Sequence, residues 1–152
     1  MSSQNEFQPQ GPRRLGRSIL ALLAGFIVNI AITLPTDIAL QALGVLPTLG
    51  SPMNHMQSAI ATGYRTLYSI LSSYVVARLA PRAPMGHALI GAAIGMAIAL
   101  IGAVVTWNKS LGPHWYPLAL VVLALPCGWI GGKLRVLQMA SQTQSALPGE
   151  FR

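Results

Sequence analysis

The chain has 152 residues, 53% of them hydrophobic and only 9% charged, with a mean hydropathy of +0.54. A soluble domain carries about 25% charged residues, so this composition argues against one and points to an integral membrane protein. The formal charge of +7 does not indicate nucleic acid, because the bases form short clusters beside apolar stretches: Arg13, Arg14 and Arg17; Arg78 and Arg82; Lys133 and Arg135. Such clusters mark the cytoplasmic ends of membrane spans.

In chain order, residues 1–14 read as a polar, Pro-bearing tail expected to be disordered. A first span follows over about 18–43. Its start, "RRLGRSILALLAGFIVNIAI", resembles a signal peptide, but no small-x-small cleavage site follows a short apolar core. It is therefore expected to stay as an uncleaved anchor. Further spans are expected over about 56–79, 84–107 and 115–134, each near the ~20 residues that cross a ~30 Å hydrocarbon layer. Helices rather than barrel strands are expected, since no short alternating segments occur. The connections 44–55, 80–84 and 108–114 are rich in Pro and Gly, which break helices. Residues 136–152 read as a polar C-terminal tail, with "SQTQSALPGEFR" (141–152) expected to be disordered. The prediction is an all-α, four-helix transmembrane bundle over 15–135, with both termini cytoplasmic.

The second span is the weakest, because it carries Arg65 and many hydroxyls. Its insertion follows from the charges. With three spans, Lys133 and Arg135 would lie on the outer side; with four, every basic cluster lies inside. The outer boundary then collects Trp107, Trp115 and Tyr116, expected as interfacial anchors.

Two of the spans carry polar stripes. Ser58, Thr62, Arg65, Ser69 and Ser72 are spaced 4-3-4-3, one face of a helix. Asn29, Thr33, Asp37 and Gln41 in the first span are each four apart, with Thr36 beside them. Two such stripes should face each other rather than lipid. The three acids are Glu6, Asp37 and Glu150, so Asp37 is the one acid available to Arg65 within the helical region. Arg65 lies about 20 Å from Arg78 along a helix and Asp37 about 30 Å from Arg17; the arginine stem can close most of that gap. Two roles stay open. The pair is expected either to hold two helices together, since an unpaired Arg at mid-membrane costs at least ~2.5–3.5 kcal/mol, or to belong to a polar cleft. In the cleft, Arg65 would bind a small anion or an anionic lipid headgroup, with Asp37, Tyr64, Tyr68, Asn29, Thr33, Thr62 and Ser69 around it.

The remaining spans read as packing elements. Gly91, Gly95, Ala99 and Gly102 form a small-residue ridge, and Gly128 and Gly132 form a GxxxG. Pro35 is expected to bend the first helix near Asp37, and Pro126 to kink the fourth. His55, His87 and His114 are scattered without ligand spacing, so no metal is expected. Cys127, the single cysteine, allows no intrachain disulfide and has no base nearby in sequence. No phosphate loop, paired carboxylates or Ser/His/Asp set occurs, and no cofactor is expected.

"GVLP", "YRTLYSILSSYVVARLAPRAPMGHA", "TWN" and "GPHWYPLALVVLALPCGWIGGKLR" together resemble an uncharacterised family of small four-helix bacterial membrane proteins, over about residues 15–135. The resemblance implies a bacterial cytoplasmic membrane and a fold, and carries no activity with it. The leading expectation is a non-enzymatic binding or accessory protein, whose partners are the lipid bilayer and a homo-oligomer or larger membrane complex. A small transporter or channel component acting as an oligomer is the alternative. A membrane enzyme acting on lipid or quinone near Trp107, His114, Trp115 and Tyr116 is a third.

Overall fold

The computed structural model describes residues 12–145, and within them the chain forms four helices and no strand. They are α1 (Pro12–Ala42), α2 (His55–Leu79), α3 (Pro84–Thr106) and α4 (Trp115–Ser145). Local chemistry sets their ends. Asn54 caps α2 in a capping box: its side chain accepts from the Gln57 backbone N–H at 2.8 Å, and the Gln57 side chain accepts from the Asn54 N–H at 3.0 Å. α3 starts at Pro84, whose fixed φ suits a first helical position. Pro35 and Pro126 both lie inside continuous helices.

Two boundaries differ from the sequence expectation. α1 already starts at Pro12, so residues 12–14, expected as disordered tail, are helical; α4 runs on through Ser145, so 136–145, expected as polar tail and disordered from 141, are helical too. The stretch "VLQMASQTQS" contains good helix formers and no Gly or Pro. Gln138 also anchors it, accepting from the Tyr74 hydroxyl at 2.6 Å and from Arg135 Nη1 at 3.0 Å. The expected tail segments 1–11 and 146–152 lie outside the described residues.

α2 is the central helix. It packs on α1, α3 and α4, and α3 packs closely on α4. α1 leans on α2, touches α3 only slightly and does not reach α4. The starts of α1 and α3 meet where His87 Nε2 and Ser18 Oγ lie 2.9 Å apart. At the opposite end the connecting loops are tied together: the Met53 N–H donates to the Leu111 carbonyl at 2.9 Å. Gly112 makes that tie possible, since its φ of 150° suits glycine and a Cβ there would sit 3.0 Å from the Met53 carbonyl.

The burial pattern is that of a bundle surrounded by apolar solvent. The buried residues are mostly small: Ala21, Ala61, Ala77, Ala88, Ala92 and Ala103, with Ser58 and Ser72. Large apolar side chains face out, among them Leu20, Leu23, Ile27, Ile30, Leu34 and Ile38 along α1. Small residues let helix backbones approach, and outward Leu and Ile are favourable in lipid but costly in water. Three helices, over Gly16–Ala42, Pro84–Thr106 and Trp115–Gln142, are long and apolar enough to cross a membrane. α2, which carries Arg65 and the hydroxyl stripe, is not among them.

The glycines redistribute the packing expected of them. Gly128 lies against Ala88 and Ala92, and Gly132 against Met85 and Ala88, so the GxxxG of α4 meets α3. The α3 ridge is not the matching surface. Gly91 meets Leu22 and Val76, but nothing lies within 4 Å of a Cβ at Gly95 or Gly102. Alanines one turn away make the contact instead. Gly131 is the tightest against backbone: a Cβ there would stand 2.6 Å from the Ile70 carbonyl and 2.8 Å from the Tyr74 nitrogen on α2.

Candidate functional site

α1 brings Asp37, and α2 brings Tyr64 and Arg65, to a common point. Arg65 Nη2 donates to Asp37 Oδ2 at 2.6 Å, and the Tyr64 hydroxyl donates to Asp37 Oδ1. Both carboxylate oxygens are thus engaged from α2. The Arg65 guanidinium carbon also lies 5.9 Å from the centre of the Tyr64 ring, within cation–π reach. Tyr68, one turn on, packs against Tyr64 with ring centres 5.7 Å apart. Thr36 donates to the Ile32 carbonyl at 2.7 Å, so its single proton is used. Tyr68 therefore donates to Thr36 across a separation of 3.0 Å.

The guanidinium is not fully satisfied. Arg65 Nε is buried and has no hydrogen-bond partner among the described residues. Such a donor carries a desolvation cost of about 1–3 kcal/mol, more when charged. Asp37, the one acid among the described residues, is already shared between Nη2 and Tyr64.

Arg65 stands between two cavities and is the one residue that lines both. The first, of about 340 Å³, lies among all four helices. Its polar wall includes Asn29, Thr33, Thr66, Ser69 and Ser72; its apolar wall includes Phe26, Ile98 and Leu123. The second, of about 400 Å³, lies under the connecting loops and is lined by Asp37, Gln41, Tyr64, Trp107, His114 and Tyr116. Asp37 lines the loop-side cavity alone, so Arg65 meets its carboxylate on that side.

Most of the polar residues singled out in the sequence gather here, in two groups. Asp37 and Tyr64 face the loop-side cavity; Asn29, Thr33 and Ser69 face the inner one. Thr33 donates to the Asn29 side chain at 3.1 Å, which orients the amide. Ser72 donates to the Gly25 carbonyl at 2.6 Å and fastens α2 to α1. Thr62 does not join them. It lines neither cavity and returns its hydroxyl to the Ser58 carbonyl at 2.8 Å, a local bond that β-branched hydroxyls make inside helices. Tyr68 lies beside the site, with its hydroxyl held by Thr36, and also lines neither cavity.

Two contributors were not read from the sequence. Tyr116, expected at the interface as an anchor, is half-buried on α4 and lines the loop-side cavity together with Arg65. Cys127 lines the inner cavity. The signal was present in the 4-3-4 spacing of Tyr116, Leu120, Leu123 and Cys127, one face of α4. Trp107 and Trp115 are exposed near the loops. There the Trp115 indole donates to His55 Nδ1 at 3.0 Å, and the His114 ring packs against Trp107 at 4.7 Å. No three His, Cys, Asp or Glu side chains converge among the described residues.

Chemically, the arrangement supplies a fixed cation, hydroxyl and amide donors, and an apolar wall. It can hold an anion. Comparison with protein families, curated proteins and solved structures finds no match to this chain.

Proposed function

We propose that the protein is a non-enzymatic, multi-pass membrane protein that holds the anionic group of a ligand at Arg65. In this reading all four helices cross the cytoplasmic membrane of a bacterium, in keeping with the family that the sequence resembles. The basic end, with Arg17, Arg78, Arg82 and Lys133, faces the cytoplasm. α2 crosses because three apolar partners surround it and its charge is paired within the bundle. The protein serves as a binding or accessory subunit, alone or within a homo-oligomer or larger membrane complex.

The observation that carries the anion is that Arg65 lines both cavities, is 34% exposed, and gives Asp37 only its Nη2, so the guanidinium keeps a donor to spare. A structural ion pair needs neither the spare donor nor two cavities. The test is a thermal-shift screen of phosphate, sulfate and anionic lipids on the wild type and on the double variant Arg65→Leu/Asp37→Leu. A ligand bound at Arg65 raises the wild-type midpoint by mass action and leaves the double variant unmoved. No shift in the wild type, or an equal shift in both, refutes the proposal.

The place of Arg65 between two cavities supports a second reading, a small transporter that uses the pair as its barrier. In a Cys127→Ala background, a membrane-impermeant thiol reagent added outside would then label a cysteine placed at Ser69 during ligand turnover. No labelling under those conditions rejects transport.

A further inference from the structure

We infer that the ligand is a single-chain amphiphile with an anionic head, and that it enters the inner cavity sideways from the bilayer between α1 and α3. This inference rests on the proposal that Arg65 holds an anionic group. Three features of the bundle support it.

The first is the route. The inner cavity and the loop-side cavity share only Arg65 in their linings. A solute entering the loop-side cavity reaches Arg65 from the Asp37 side, with no other lining residue in common. The α1–α3 seam offers another way. It is closed at one end by the His87–Ser18 contact and by Leu22, which stands 3.3 Å from the Cβ position of Gly91. One turn further along α3 the closure stops, because nothing lies within 4 Å of a Cβ at Gly95. Phe26 and Asn29 on α1 and Gly95 and Ile98 on α3 all line the cavity beside this seam, and Ile98 is also exposed on the outside.

The second is the chemistry of the walls. A free inorganic anion gains nothing from Leu22, Phe26, Ile98, Leu120 and Leu123. An alkyl chain does, while its head meets the Arg65 guanidinium and the amide of Asn29, both of which line the cavity. Charge-assisted hydrogen bonds of this kind are about twice as strong as neutral ones. The third is size. About 340 Å³ lies at the lower end of the range of small-molecule sites, about 300–1,000 Å³. That space suits one chain and a compact head rather than a whole two-chain phospholipid.

Cys127 provides a built-in reporter. It is the only cysteine, it is buried, and it lines the inner cavity. The full chain is placed in phosphatidylcholine nanodiscs. N-ethylmaleimide labelling of Cys127 and the melting midpoint are then followed with dodecyl phosphate, dodecanol or inorganic phosphate. Dodecyl phosphate should slow labelling in proportion to occupancy, about tenfold at about ten times its dissociation constant, and should raise the midpoint. Dodecanol and inorganic phosphate should do much less. Gly95→Phe, which places a ring in the open space, should abolish the dodecyl phosphate effect on the midpoint; Gly95→Leu serves if the phenylalanine variant does not fold. Arg65→Leu/Asp37→Leu should abolish it as well.

If inorganic phosphate acts as strongly as dodecyl phosphate and Gly95→Phe responds like the wild type, the amphiphile and its route are wrong while anion binding at Arg65 stands. If dodecanol acts as strongly as dodecyl phosphate, the chain binds without Arg65 and the inference fails. If none of the three acts, the inference and the anion proposal fall together.

Discussion

Replacing Arg65 with leucine leaves Asp37 with the Tyr64 hydroxyl and no cation. The carboxylate is largely enclosed, its side chain 18% exposed, while the Arg65 side chain is 34% exposed. Breaking a fully buried pair costs about 3–5 kcal/mol; with this partial exposure the lower end applies, about 3 kcal/mol. Removing both partners costs far less, because replacing a buried pair by apolar residues is often neutral or stabilising. Leucine at 65 and 37 would also extend the apolar contact between α1 and α2. Arg65→Leu should therefore lower the melting midpoint by several degrees in detergent or nanodiscs, and Arg65→Leu/Asp37→Leu should recover most of it. Asp37→Leu alone should be the worst of the three. A lone carboxyl can take up a proton and become neutral, whereas a guanidinium stays charged. The double-mutant cycle measures the coupling directly. If the two single losses simply add in the double variant, the pair contributes nothing as a pair and the reasoning is refuted.

Cysteines placed at Ser51 and Ser110, in a Cys127→Ala background, should react with an impermeant thiol reagent outside intact cells, and one at Ala83 should not; reversed accessibility would end the four-span topology. Gly131→Ala should destabilise by about 1–3 kcal/mol in thermal melts, because the added methyl meets α2 backbone atoms that cannot turn aside. Gly95→Ala, facing open space, should be neutral or stabilising by up to about 1 kcal/mol, and equal effects at the two glycines would contradict the packing described. Ser72→Ala should cost about 1 kcal/mol through the lost bond to Gly25. Ser58→Ala should cost nothing or stabilise, since the buried Ser58 hydroxyl has no partner among the described residues.

The helices were legible because their signals are local: apolar runs of the right length, Pro and Gly between them, and polar stripes at helical spacing. The Arg65–Asp37 contact was legible for a different reason. A single acid in the apolar region leaves one arginine one partner. Packing between helices was less legible. A row of small residues says that something can approach, but it does not say from which side. Gly95 and Ala99 came to line a cavity, whereas Ala88 and Ala92, not singled out in the sequence, form the α3 contact. Gly131 stands next to the GxxxG frame and faces α2 rather than α3. Tyr116 was hidden by its neighbours. Beside Trp107 and Trp115 an aromatic reads as an interfacial anchor, and only the bundle brings it round to Arg65. The 136–145 helix was missed because the span was ended at Leu134 and the polar stretch from 141 was read as disorder, though 136–145 contains nothing that breaks a helix.

The place of α2, polar in itself and enclosed by three apolar helices, bears on how the chain is made. In the four-span reading, α1 leaves the ribosome first and can settle in the bilayer unaided, bringing Asp37 with it. α2 has no such independence. Its arginine becomes tolerable in the bilayer only when Asp37 is already there to meet it, so the two helices should insert as a hairpin rather than one at a time. α3 and α4 then close around the hydroxyl face. A chain that keeps Arg65 but lacks Asp37 should stall at this step more often, with α2 left at the membrane surface. Glycosylation acceptors placed in the 80–84 loop would register such chains, because newly made protein would carry an inverted second half.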